Sequence, residues 1–97
     1  MSEQDILGLF EHYLELRGYS SRTPSGHPST TYDYAHSRIP FVLRNEGISI
    51  QTLITSTDKY VTYYNVGGLK AYLGAKSHNA VINAIKRFKE FLNDVQF

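Results

Sequence analysis

Cysteine and tryptophan are absent from this chain of 97 residues, and methionine occurs once. Without cysteine there is no disulfide staple, no thiolate nucleophile and no sulfur-ligated metal centre. No apolar run approaches the about 20 residues that a helix needs to cross a bilayer. The N-terminus also lacks the basic region and apolar segment of a secretory leader. The expectation is a soluble, cytoplasmic chain with no membrane partner. Charge of one sign is missing from two stretches. Before Arg17 the sequence holds Glu3, Asp5, Glu11 and Glu15 and no Lys or Arg; between Lys59 and Lys89 it holds Lys59, Lys70, Lys76, Lys86, Arg87 and Lys89 and no carboxylate.

A hydrophobic content of 41% with 13% aromatics belongs to a folded chain rather than a disordered one. The length suits a single domain, 1–97, with one core. The net charge of +1 conceals the segregation of signs. Such segregation has two readings. Either the second half faces a polyanion, or the acidic first helix packs beside the basic last one and neutralises it.

The periodicity is helical throughout. A first helix is expected from about Glu3 to Arg17, with Ile6, Leu7, Phe10, Tyr13 and Leu14 on one face and Gly18 closing it in the left-handed conformation. The punctuated stretch Tyr19 to Pro28 reads as a loop. A second helix starts at Ser29 or Thr30 and runs to Asn45, stopping at Gly47. Its core face is Tyr32, Ala35, Ile39, Val42 and Leu43, and Pro40 should kink or break it. The short apolar connection Ile48 to Ile54, containing SIQTLI, suits one helical turn. Thr55 to Asp58 reads as a capping box for a third helix over Thr57 to Tyr64, with Tyr60, Val61 and Tyr64 inward. Leu69 to Leu73 is one further turn before Gly74.

The closing helix, SHNAVINAIKRFKEFL from Ser77 to Leu92, is the most legible element. Ser77 is a good N-cap residue. Val81, Ala84, Ile85, Phe88, Phe91, Leu92 and Val95 form its apolar stripe. At about 100° per residue the opposite side carries Asn79, Asn83, Lys86 and Glu90, with Lys76 and Arg87 nearby. Lysine and arginine bind phosphates, asparagine pairs with adenine edges, and a free helix N-terminus offers N–H groups to anions.

Catalytic and metal motifs are missing. The histidines His12, His27, His36 and His78 show no H-E-x-x-H spacing, and the Glu11-His12-Glu15 group reads as solvated surface. His78, at the start of the last helix, is placed to touch a phosphate. No G-x-S-x-G is present. Gly68, Gly74, Lys76 and Ser77 miss a phosphate-binding loop by one residue in each spacing. No cofactor, metal or catalytic residue is expected. Tyr60 and Tyr64 read as core residues whose hydroxyls reach the surface, while Tyr63 and Tyr72 suit either core or contact.

In this order the segments resemble a known family. TTYDYAHSRIPFVLRNEGIS, with its threonine-led helix and Gly47-Ile48 exit, resembles the start of the core-binding domain of tyrosine recombinases and phage integrases. ITSTDKYVTYY is similar to that family's third helix, and SHNAVINAIKRFKEFL to its closing helix with a Phe-x-x-Phe-Leu ending. The likeness runs from Phe10 to Leu92 and rests on cap and core positions. His36, Pro40, the longer first loop (Thr23 to Pro28) and the longer connection (Gly67-Gly68 to Gly74) depart from the pattern. The stretch YYNVGGLKAYLGAKSHNAVINAIKRF is also similar to helical N-terminal domains of some restriction and defence proteins.

The resemblance implies an all-α fold, a compact SAM-like bundle of four to five helices that grips double-stranded DNA without performing chemistry. It implies DNA contacts at Thr30, Thr31, Tyr34 and Arg38 on the second helix, and at Lys76, Ser77, Asn79, Asn83 and Lys86 on the last. The family's catalytic residues lie in a separate domain and have no counterpart here, so a catalytic domain in a longer parent protein is an implied partner. The alternative is a protein-interaction or dimerisation domain of a restriction or defence enzyme, using the exposed tyrosines.

Overall fold

The computed structural model describes residues 1–20 and 29–96, and every regular element among them is helical. Helix α1 (Glu3–Leu16) begins with a capping box: Ser2 Oγ accepts from Asp5 N–H, and the Asp5 carboxylate accepts from Ser2 N–H. Gly18, at φ +90°, closes it as expected. The loop expected from Tyr19 to Pro28 lies, from residue 21 onward and with His27, outside the described residues.

The second helix is one rod built in three parts: α2 (Thr30–Asp33), a π-helical segment (Tyr34–Arg38) and α3 (Ile39–Glu46). Ser29 Oγ caps it by accepting from Tyr32 N–H, and Gly47 ends it at φ +65°. The widened turns answer Pro40. In α-register the proline ring would meet the His36 carbonyl and leave it without a donor. Instead the Ile39 N–H bonds to the Tyr34 carbonyl, five residues back, and the rod passes through Pro40. The extra residue rotates the segment before it, which corrects one expected core position. Thr31, not Tyr32, joins Ala35, Ile39, Val42 and Leu43 inside, while Tyr32 is 51% exposed and lies 4.9 Å from the His36 ring.

Helix α4 (Ile50–Thr55) is capped by Ser49, and α5 spans Thr57–Tyr64. The expected capping box at Thr55 is not formed. Thr55 Oγ1 donates backward to the Gln51 and Thr52 carbonyls and so closes α4. Ser56 holds the cap position of α5 without a side-chain bond, and Asp58 pairs with Lys89 at 2.8 Å. After α6 (Ala71–Gly74) comes α7 (Lys76–Val95). Counting the second helix as one rod, the described residues thus form six helical bodies rather than four to five, because SIQTLI and the turn before Gly74 are separate short helices.

Helix α7 is central, packing on α5, α6, the rod and α1. It buries Val81, Ile82, Ala84, Ile85, Phe88 and Phe91. Leu92 is half-buried, and Val95, expected in the stripe, is exposed in the last turn. Phe10, Phe88 and Phe91 form an aromatic centre with ring centroids 5.1 to 5.7 Å apart. One hydrophobic cluster includes all of the buried residues among these. The radius of gyration, 12.7 Å, is near the about 12.5 Å expected for a folded chain of this length.

Two polar ties fasten the bundle. Tyr13 O–H donates to Asp94, which also pairs with Arg17 at 3.3 Å, joining the ends of α1 and α7. Burial first, and the Asp94 bond second, push the Tyr13 hydroxyl up to about 12. The second tie is Glu46, which accepts from Tyr64 O–H at 2.7 Å and from the Lys70 ammonium, while Asn45 donates to the Tyr64 oxygen at 2.9 Å.

Burial opposes ionisation of Glu46, yet the bonds from Lys70, Tyr64 and Asn45 hold its carboxyl below the usual range. A depressed carboxylate contributes stability that is present above its unfolded pKa and is lost as pH falls through the folded value. Urea denaturation below about pH 5 should therefore show the wild type losing stability more steeply with falling pH than Glu46→Gln. Parallel acid profiles would show that Glu46 is not held charged.

Candidate nucleic-acid interface

An open groove of about 420 Å³ runs between the rod and the start of α7, lined by Thr30, Asp33, Tyr34, Arg38, Ser77, His78 and Ala80. Four residues expected from two segments nearly 40 positions apart, Thr30, Tyr34, Arg38 and Ser77, therefore meet on one surface.

On the rod side, Arg38 Nε lies 2.9 Å from Asp33 Oδ2. A pair five residues apart cannot face across an ordinary α-turn, and the π-helical turn is what brings it together. The two Nη groups of Arg38 take no hydrogen bond among the described residues, so its fork stays open to an anion. Tyr34 is half-buried at the seam, with its ring 6.5 Å from Tyr19. Burial pushes its hydroxyl above the usual tyrosine range, against a hydrogen bond from Asn83 that lowers it. Thr31 is buried, with Oγ1 3.2 Å from Ser29 Oγ, and forms no part of the surface.

On the α7 side the backbone departs from the expected start. Ser77, His78 and Asn79 have φ of 54°, 59° and 67°, one left-handed turn, and regular right-handed helix begins only after them. The Ser77 N-cap is therefore not formed. Ala75 holds that position without a side-chain bond, and the Asn79 N–H bonds to the Ala75 carbonyl at 3.1 Å. Asparagine and histidine tolerate this conformation better than most residues, but three in succession is costly. The turn leaves Ser77, His78 and Asn79 exposed, the first two of them lining the groove.

Of the two readings of the charge segregation, the ion pairs bear on neutralisation by α1. Among the described residues no carboxylate of α1 pairs with a cation of the stretch from Lys59 to Lys89. Lys70 pairs with Glu46, and Lys89 with Asp58. Arg87 Nε approaches Glu90 at 3.0 Å without hydrogen-bond alignment, while its Nη1 donates to the Tyr19 hydroxyl oxygen. Glu11 faces His36 at 2.7 Å. Among the described residues Lys59, Lys76, Lys86 and Arg44 make no ion pair. Lys59 lies over the Tyr60 and Tyr63 rings, and Lys76 Nζ sits 5.3 Å over Phe41. Lys76 is exposed beside Ser77, and half-buried Lys86 stands one turn beyond Asn83.

Asp33 and Ala80 are the lining residues that sequence reasoning missed. The only signal for Asp33 is its five-residue spacing from Arg38, which points to a contact only once the π-helical turn is known. No group of three or more His, Asp or Glu side chains is arranged to hold a metal among the described residues, and no described helix is long and apolar enough to cross a membrane. No protein-family model, curated protein or solved structure matches the chain.

Proposed function

We propose that this chain is a non-catalytic, SAM-like DNA-binding domain of the kind found as the core-binding module of tyrosine recombinases. In this reading it grips duplex DNA with the groove face of the rod and the start of α7. The observation that carries the reading is the convergence of Thr30, Tyr34, Arg38 and Ser77 on one groove. Lys76 adjoins that groove in sequence and, like Lys86, has no ion-pair partner among the described residues. The open fork of Arg38 and the lysines bind phosphates. Ser77, Asn79 and Thr30 supply neutral hydrogen-bonding groups, and Tyr34 lines the groove between them. A grip of this composition is dominated by phosphate contacts and tolerates sequence.

Fluorescence anisotropy with a labelled duplex tests it. Affinity should fall steeply between about 50 and about 200 mM salt. The double variant Lys76→Ala/Lys86→Ala should reduce the log–log salt slope by about 2, roughly one for each phosphate that is no longer neutralised. An unchanged slope with unchanged affinity would remove both lysines from the interface.

A further inference from the structure

A carboxylate stands in the very groove that offers its cations to phosphates. Asp33 lines it together with Arg38. Its Oδ2 lies 2.9 Å from Arg38 Nε, and both side chains are largely buried. A carboxylate beside a phosphate repels it, the more so where water is partly excluded. The usual duty of an acid near a helix start does not account for Asp33, because Ser29 Oγ caps the rod. Nor does stability, since ion pairs with partial access to water contribute little. Among the described residues Arg38 is its one ion-pair partner.

The pair exists because of Pro40. On an ordinary α-helix, residues five apart point about 140° away from each other around the axis. The π-helical turn that accommodates the proline, with the Ile39 N–H bonded to the Tyr34 carbonyl, brings Asp33 and Arg38 to one side. A guanidinium is planar and carries its five N–H donors in a fixed fork. Holding Nε therefore fixes the directions of both Nη groups, which take no hydrogen bond among the described residues. The long arginine stem gives up its rotamer freedom before a ligand arrives, so a phosphate meets a fork that no longer has to be ordered.

We propose that Asp33 is a positioning residue of the groove: through the π-helical turn imposed by Pro40, its carboxylate orients Arg38 for a DNA phosphate, and this outweighs its own repulsion of that phosphate. The inference rests on the DNA-binding reading and adds to it an acidic residue whose removal weakens the hold on a polyanion. Charge counting alone predicts the reverse. By that count, deleting an acid beside a phosphate strengthens binding and does not flatten its salt dependence.

A double-mutant cycle on Asp33 and Arg38 tests the proposal, read as affinity for a labelled duplex over a series of salt concentrations. With Arg38 present, Asp33→Ala should weaken binding about fivefold and lower the log–log salt slope by about 1, although the protein has become more positive. In the Arg38→Ala background the same substitution should strengthen binding, because only repulsion is left to remove. Asp33→Asn, whose side-chain carbonyl can still accept from Nε, should bind at least as tightly as wild type. If Asp33→Ala binds as tightly as wild type or more tightly while Arg38 is present, the proposal is overturned and the DNA-binding reading stands. Weakening in both backgrounds would mark a merely structural role and overturn it too, as would an Asp33→Asn variant as weak as Asp33→Ala. A wild type whose duplex binding is absent or insensitive to salt would overturn the proposal and the reading together.

Discussion

Truncating Phe88 to alanine is expected to cost about 3–5 kcal/mol, a large share of the about 5–15 kcal/mol that holds a domain of this size together. The ring is fully buried. It stands edge-on to Phe10 at 5.1 Å and 89° and lies 5.7 Å from Phe91. Removing it forfeits the transfer energy of the ring, the aromatic contacts and the packing of α1 on α7, and opens a cavity the surrounding helices cannot fully close. Thermal denaturation should show a midpoint lowered by more than about 12 °C, if the variant folds at all. A destabilisation below about 1 kcal/mol would mean that Phe88 does not sit at a packed centre.

Gly74→Ala sets two effects of opposite sign against each other. In a helix, alanine is favoured over glycine by about 1 kcal/mol. Against that, a Cβ on Gly74 would lie 1.8 Å from the Tyr64 carbonyl oxygen, 2.8 Å from its carbon and 3.3 Å from Ile82 Cβ. The first two are backbone atoms, and Tyr64 is itself anchored to Glu46, so nothing flexible can yield. Helix α6 would have to lift off α5, and the path into α7 would move with it. We expect destabilisation of several kcal/mol, comparable to overpacking at its worst. Gly8→Ala in α1 is the matched control. Its Cβ would meet nothing within 4 Å, so only the propensity gain remains, about 0.5–1 kcal/mol of added stability. Urea midpoints moving in opposite directions for the two substitutions would establish the close approach of α6 to α5. A Gly74→Ala variant as stable as wild type would contradict it.

The sequence is legible wherever one period and one cap govern an element. The α1 face from Ile6 to Leu14, the Gly18 and Gly47 stops, α5 from Thr57 to Tyr64 and the aromatic stripe of α7 all follow from helical spacing. The misreadings share a physical origin. A uniform turn of about 3.6 residues puts Tyr32 inside, whereas the rod accommodates Pro40 with wider turns and seats Thr31 there. Thr55 and Ser77 are both good N-cap types, but a hydroxyl at a helix junction can serve the helix before it as readily as the one after. Thr55 closes α4, and Ser77 lies in a left-handed turn that propensity does not anticipate. The candidate groove is half legible. Thr30, Tyr34, Arg38 and Ser77 are named through the resemblance, whereas the pairing of Arg38 with Asp33 depends on the π-helical turn and the approach of Ser77 and His78 to the rod depends on tertiary packing.

The central claim, that the groove face of the rod and the start of α7 hold duplex DNA, is tested most directly by following backbone amide resonances while a short duplex is added at low salt. The account predicts that Thr30, Tyr34, Arg38, Lys76, Ser77, Asn79 and Lys86 shift together and saturably, and that the shifts collapse as salt rises. Val66, Leu69 and Tyr72, exposed but outside the groove lining, should stay unmoved. Saturable shifts centred on Val66 to Tyr72, or no shifts at any duplex concentration, would contradict it.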